Sequence, residues 1–251
     1  MTLKHSLIAL LLGASLSLAS PVMANEAEFA QALAYYSSQN YGQAFVLFNK
    51  LAEQGDAAAQ FNLGNMYANG KGVRQDYGQA VAWYRKAAEQ GDAAAQYNLG
   101  VMYAEGKGVR QDYHQAVSWW QKAAEQGYAS AQFNLGNMYA NGKGVRQDYH
   151  QAVAWYRKAA EQGDAAAQSN LGLMYNNGRG VRQDDAQAVA WYRKAAEQGE
   201  AAAQYNLGVH YYNGEGVRQN KSTAKEWFGN ACDLGHQQGC DEYRRLNGLG
   251  Y

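Results

Sequence analysis

Neither sign of charge is in excess in this chain, where 22 lysines and arginines stand against 22 aspartates and glutamates. That balance argues against a nucleic-acid binder and against an enzyme built for acidic substrates, since both depend on a field of one sign. Cysteine is nearly absent, and both residues, Cys232 and Cys240, lie far from the N-terminus. A lipid anchor on an N-terminal cysteine is thereby excluded. The apolar run from Leu7 to Leu18 falls short of the roughly 20 residues that a membrane span requires. His-Glu-x-x-His, Gly-x-Ser-x-Gly and Walker sequences are all missing. His114 and His150 occupy equivalent outer positions one period apart with no carboxylate in support, and His210 and His236 show no partner, so neither a metal nor a cofactor is expected.

What the chain does have is a period. Glycines at 55, 91, 127, 163, 199 and 235 recur every 36 residues, and Leu-Gly pairs beginning at 63, 99, 135, 171 and 207 keep the same step. A period of this length means stacked supersecondary units, because one unit cannot bury its own apolar face. The stretch from Ala93 through Gly106 places apolar and small residues at helical spacing and reads as a helix, A, capped by Asp92 and stopped by Gly106. Asp56, Asp164 and Glu200 stand where Asp92 does, and Tyr128 is the exception. A loop with a second glycine leads to helix B, for which Asp112 and Gln115 predict a capping box, repeated at Asp76/Gln79, Asp148/Gln151 and Asp184/Gln187. On helix A, Ala95, Leu99, Met102 and Tyr103 share one arc, and Ala116, Trp120, Ala123 and Ala124 form the matching face of helix B. Gly100 sits beside that arc. A mid-helix glycine costs about 1 kcal/mol against alanine, so its recurrence in every unit predicts a neighbour too close to admit a Cβ.

The pattern A-x-A-Q-Y-N-L-G-x-M-Y, followed by G-x-G-V and a W-Y-x-K-A-A-E-Q-G ending, resembles the Sel-1-like repeat, a relative of the tetratricopeptide repeat. The resemblance covers residues 55–234 as five units, 55–90, 91–126, 127–162, 163–198 and 199–234, and implies an all-α, right-handed α/α solenoid with adaptor roles in protein complexes. In one departure, arginine follows the loop valine where relatives often place proline. The stretch holding Cys232 and Cys240 resembles the cysteine-rich, secreted branch of the same family, whose units are stapled by disulfides. Eight positions apart with a helix turn between them, the two side chains can meet.

The remaining segments read as ends. Residues 1–24 look like a cleaved export signal, with Lys4 and His5 before the apolar run and small residues leading to a cut after Ala24, so a periplasmic or secreted protein is expected. Residues 25–54 form a tetratricopeptide-like N-terminal hairpin with Phe29, Leu33 and Tyr36 on one helix and Tyr41, Ala44, Phe48 and Leu51 on the next; residues 235–251 form a C-terminal capping helix. Tryptophans at 83, 119, 155, 191 and 227 recur once per unit and are expected to pack rather than to form a cage.

Opposite the core arc, each helix A carries a stripe at i, i+4 and i+7: Phe61/Asn65/Ala68, Tyr97/Val101/Ala104, Phe133/Asn137/Ala140, Ser169/Leu173/Asn176 and Tyr205/Val209/Tyr212. In related superhelices the A helices line the concave face that holds ligands, so these residues are the candidate binding surface. Asn62, Asn98, Asn134, Asn170 and Asn206 lie beside it and are able either to hydrogen-bond a peptide or to satisfy the scaffold. Three functions follow. The first is an exported, non-enzymatic, monomeric module binding an envelope or host protein; the second is an envelope enzyme acting on β-lactam or cell-wall chemistry through the Ser-x-x-Lys spacing of Ser222 and Lys225. The third is a spacer with no ligand.

Overall fold

Residues 21–251 are described by a computed structural model, so most of the expected export signal lies outside the described residues. The first helix, α1 (Pro21–Ser37), begins before the expected cut and runs through it. It pairs with α2 (Tyr41–Glu53). Five hairpins follow: α3 (Ala57–Asn69) with α4 (Tyr77–Glu89), α5 (Ala93–Glu105) with α6 (Tyr113–Glu125), α7 (Ala129–Asn141) with α8 (Tyr149–Glu161), α9 (Ala165–Asn177) with α10 (Asp185–Glu197), and α11 (Ala201–Asn213) with α12 (Lys221–Asp233). The odd-numbered helices are the A helices, and α13 (Gln237–Gly248) closes the array as an A helix with no B. All the substantial helix contacts join sequence neighbours, as a one-dimensional stack requires.

The expected helix ends form where a side chain can reach them. Asp56, Asp92 and Asp164 accept from the amide three residues on at 2.7 Å, while Tyr128 and Glu200 make no such bond. Helix A of each of the five full hairpins stops on a glycine with φ between +63° and +79°. The loop glycine two residues later, as at Gly108, also has positive φ, and a Cβ there would collide with the Tyr77 carbonyl at the start of the preceding helix B. The loop is therefore pressed onto the previous unit. Before helix B the capping box is only half made. Asp112 accepts from the His114 and Gln115 amides, but its own N–H donates to the Tyr103 carbonyl at 2.9 Å, which leaves Gln115 nothing to cap.

Inside each unit a ring of helix B lies against the bare backbone of helix A. A Cβ on Gly64, Gly100, Gly136, Gly172 or Gly208 would come within 2.8 Å of Tyr84, Trp120, Tyr156, Tyr192 or Phe228. The predicted close neighbour is thus an aromatic side chain of the same hairpin. The tryptophans act one level higher, each packing on the core of the unit before it, as Trp83, Trp119 and Trp155 do. Four of them carry a lysine ammonium 3.9–4.2 Å above the ring, a lid over an edge that water would otherwise wet. In the first hairpin, Ala32 and Phe48 are fully buried whereas Leu33 is 43% exposed, so Leu33 turns away from the predicted arc. Ala32, one residue earlier, takes the buried place, while Phe29 and Tyr36 pack against the same core.

A buried amide fastens each unit to the last. Gln60 donates to the Ala52 carbonyl at 3.1 Å and accepts from Gln90 at 2.8 Å. Gln96, Gln132 and Gln168 repeat both bonds with Gln126, Gln162 and Gln198. Gln204 keeps the first bond, to Ala196 at 3.0 Å, but Leu234 stands where the donor glutamine belongs, and Gln204 Oε1 is buried without a partner. At the next seam the equivalent positions are Cys232 and Cys240, bonded to one another with Cα atoms 4.4 Å apart. The disulfide therefore takes the place of the amide bond.

Two outcomes follow for unfolding in urea. Leu234→Gln, with the same backbone conformation as its four equivalents, is expected to raise stability by about 0.5–1.5 kcal/mol by supplying the absent donor. Replacing both cysteines with alanine is expected to lower it by about 2–3 kcal/mol, and a reducing agent is expected to do the same to the parent only.

Candidate binding face on the A helices

The stripe opposite the core arc is held by the same ring that fills the glycine notch. Tyr84 Oη donates to Asn65 Oδ1 at 2.7 Å, and Asn98 of the following unit donates to the same oxygen at 3.2 Å. Tyr156, Asn137 and Asn170 repeat the arrangement at 2.7 and 3.3 Å. Where helix B has Trp120, helix A has Val101, and the indole donates instead to the Tyr97 carbonyl at 3.1 Å. Phe228, without a polar atom, faces a unit with Val209. In four of the five full hairpins the residue on the stripe thus matches the bonding of a ring nineteen positions later, a pairing that the helical pattern alone does not reveal; Leu173 against Tyr192 is the exception.

This pairing sorts the candidate residues. Asn65, Asn137, Asn98 and Asn170 are engaged inside the array, and Asn62 donates to the Ala58 carbonyl at 2.8 Å. Asn134 lies within reach of the Tyr97 phenol, and Asn206 holds no hydrogen bond of that kind to the described residues. Phe61, Tyr97, Phe133 and Tyr205 are half-buried and lean on rings beneath or beside them: Tyr84 at 6.1 Å, Tyr128 at 5.1 Å, Tyr156 at 6.2 Å and Phe228 at 5.6 Å between centroids. Val101 and Val209 are half-buried too, and Leu173 is 38% exposed. Ser169, where the other units place a ring, is buried.

The other singled-out residues have structural employment. His210 is buried, its Nδ1 2.9 Å from the Glu215 carbonyl and its ring packed on Tyr192. His236 caps α13 by accepting from the Gly239 amide at 3.2 Å and stacks on Tyr205 with centroids 4.7 Å apart. Both partners were missed from sequence, because a histidine cap and a ring stack between units lie outside the usual signals. His114 and His150 are exposed in the first turn of their helices. Among the described residues there is no group of three or more side chains placed to hold a metal. Ser222 is exposed in the first turn of α12, while Lys225 reaches to α13 and the C-terminus, donating to Asn247 Oδ1 at 2.9 Å and to the Tyr251 carbonyl.

Burial pushes the phenols of Tyr84 and Tyr156 up to about 12, against a hydrogen bond that works the other way. Tyr192 is raised by burial alone. A folded chain with raised phenol pKa values holds protons that the unfolded chain releases near pH 10, so the contribution of these phenols to stability is level below that pH and falls from about 10 to about 12.

An all-helical stack of two-helix units, seamed by buried amides, defines a repeat scaffold. More narrowly, the chain belongs to the Sel1 repeat family, whose model matches residues 29–56, 57–92, 93–128, 129–164, 165–200 and 201–236. The match makes the first hairpin a sixth repeat and shifts each boundary two residues from the glycine marks. No curated protein matches the chain. Among solved structures it is similar to a protective antigen of uropathogenic Escherichia coli strains with an SLR fold, at 40% identity and a TM-score of 0.87. That likeness covers 90% of this chain and 49% of the antigen, so the chain spans about half its length. It is also similar to a Sel1 repeat protein from Oxalobacter formigenes, at 35% identity and a TM-score of 0.81 over 89% of both chains.

For the phenol pairs, the Tyr84→Phe/Tyr156→Phe double variant is expected to lose about 1–3 kcal/mol at neutral pH. Between pH 10 and 11 it should lose less further stability than the parent; urea unfolding across that range measures both.

Proposed function

We propose that this chain is an exported, non-enzymatic scaffold that holds a peptide or a protein segment along the face of its A helices. The observation that carries the reading is the row at positions 61, 97, 133, 169 and 205, which reads Phe, Tyr, Phe, Ser, Tyr over a framework that repeats almost without change. A face shaped unit by unit on a constant frame suits a ligand that meets several units at once. Half-buried rings and aliphatic groups supply apolar contact there, and the scaffold has already satisfied most of the amides beside them.

The Cys232–Cys240 bond supports a compartment in which disulfides persist. No described helix is long and apolar enough to cross a membrane, and the related E. coli protein is a protective antigen, which is consistent with exposure outside the cytoplasm. A catalytic role for Ser222 gains no support from its surroundings, since Lys225 is turned to the C-terminal helix.

The test is affinity capture on the oxidised protein, from envelope extract and separately from host-fluid proteins. A Tyr97→Ser/Val101→Ser/Phe133→Ser variant, with its fold verified by circular dichroism, is run beside it. A partner kept by the parent and reduced at least tenfold on the variant is expected. Equal capture by both would move the binding surface elsewhere on the molecule.

A further inference from the structure

The fourth repeat breaks the pairing that its neighbours obey. In the first and third, one carboxamide oxygen, Asn65 Oδ1 or Asn137 Oδ1, receives the phenol below it and the amide of the next unit. The same three places in the fourth hold Tyr192, Leu173 and Asn206. Tyr192 is 1% exposed and rests on Gly172 as its counterparts rest on theirs, so its hydroxyl arrives at the same place. The oxygen that should receive it is a leucine. Neither Tyr192 nor Asn206 donates to any described residue, and the scaffold nowhere else pairs a tyrosine at this position with an aliphatic neighbour.

From this vacancy we infer a ligand site in the fourth repeat, where a neutral carbonyl oxygen of a bound peptide accepts from Tyr192 Oη and Asn206 Nδ2 while an apolar side chain of that peptide covers Leu173. Gln204 Oε1 is the only buried side-chain polar atom without a partner among the described residues, so both donors keep a path to solvent and to an incoming ligand. Two donors without their common acceptor call for one oxygen. The oxygen is that of an amide and not of a carboxylate, because both donors are neutral and the charge of a carboxylate would stay uncompensated between them. Leu173, 38% exposed, gives the apolar half of the contact. Ser169 puts a small side chain in the row of rings, between Phe133 and Tyr205. The site deepens the reading of the A-helix face as a peptide surface by naming where the ligand is anchored and through which atom.

The test uses the isotopically labelled protein and N-acetyl-leucine N-methylamide, a single peptide unit with one apolar side chain, followed by NMR. Saturable shifts of the Asn206 side-chain amide and of the Tyr192 ring are expected. Tyr192→Phe should weaken binding about five- to tenfold, as loss of one hydrogen bond does. Leu173→Asn should rebuild the internal acceptor, raise the melting temperature by about 2–4 °C and abolish the shifts. The inference is overturned if the parent shows no saturable shift at these residues, if Leu173→Asn binds as the parent does, or if that variant melts lower. Shifts confined to Tyr97 and Phe133 would sink this site while leaving the wider face intact, and shifts confined to Tyr192, Leu173 and Asn206 would support this site and remove the wider one.

Discussion

The array depends on a buried glutamine. A solenoid unit cannot exist alone, so what decides whether the units form one body is the seam between them, and at each internal seam a carboxamide bonds the backbone of the previous helix B. An amide suits this place because it gives and takes at once. Gln96 donates to Ala88 and accepts from Gln126, which leaves no polar atom stranded where water cannot reach. The apolar contacts of alanines, leucines and rings supply the bulk of the driving force, but they slide; the amide fixes the register in which they meet.

Much of this was readable in the sequence, and the part that was not has a physical reason. The period, the glycine stops and the aspartate caps are local signals, since each is decided by the backbone within a few residues. Gly100 was legible as a close approach because a helix tolerates glycine only for a cause, although the neighbour proved to be the ring of Trp120. Gln96 was illegible, for a glutamine beside two alanines reads as solvated filler and its burial depends on a unit that starts at another period. The link between Tyr84 and Asn65 crosses nineteen positions and two helices. His236 reads as an idle residue until the turn brings it to Gly239.

The candidate face shows the same division. Helical spacing was enough to say which residues of helix A look away from the core, but not which of them have hydrogen-bonding capacity left. That depends on the ring beneath, and the rings differ: tyrosine, tryptophan, tyrosine, tyrosine and phenylalanine along the five full hairpins. A stripe that appears polar in the first and third units is therefore chemically quiet, and the one that appears apolar in the fourth leaves Tyr192 and the next unit's Asn206 without an internal acceptor.

The disulfide has a mechanical meaning as well. A stack whose members touch only their neighbours comes apart from its ends, where a unit has a single partner to lose. One end of this stack is held by Cys232 and Cys240, so α13 cannot peel away from α12 without breaking a covalent bond. The other end rests chiefly on the contacts of α1 with α2, with no covalent tie among the described residues. Fraying is thus given a direction: the oxidised chain unzips from its N-terminal hairpin, and a change in redox conditions frees the opposite end.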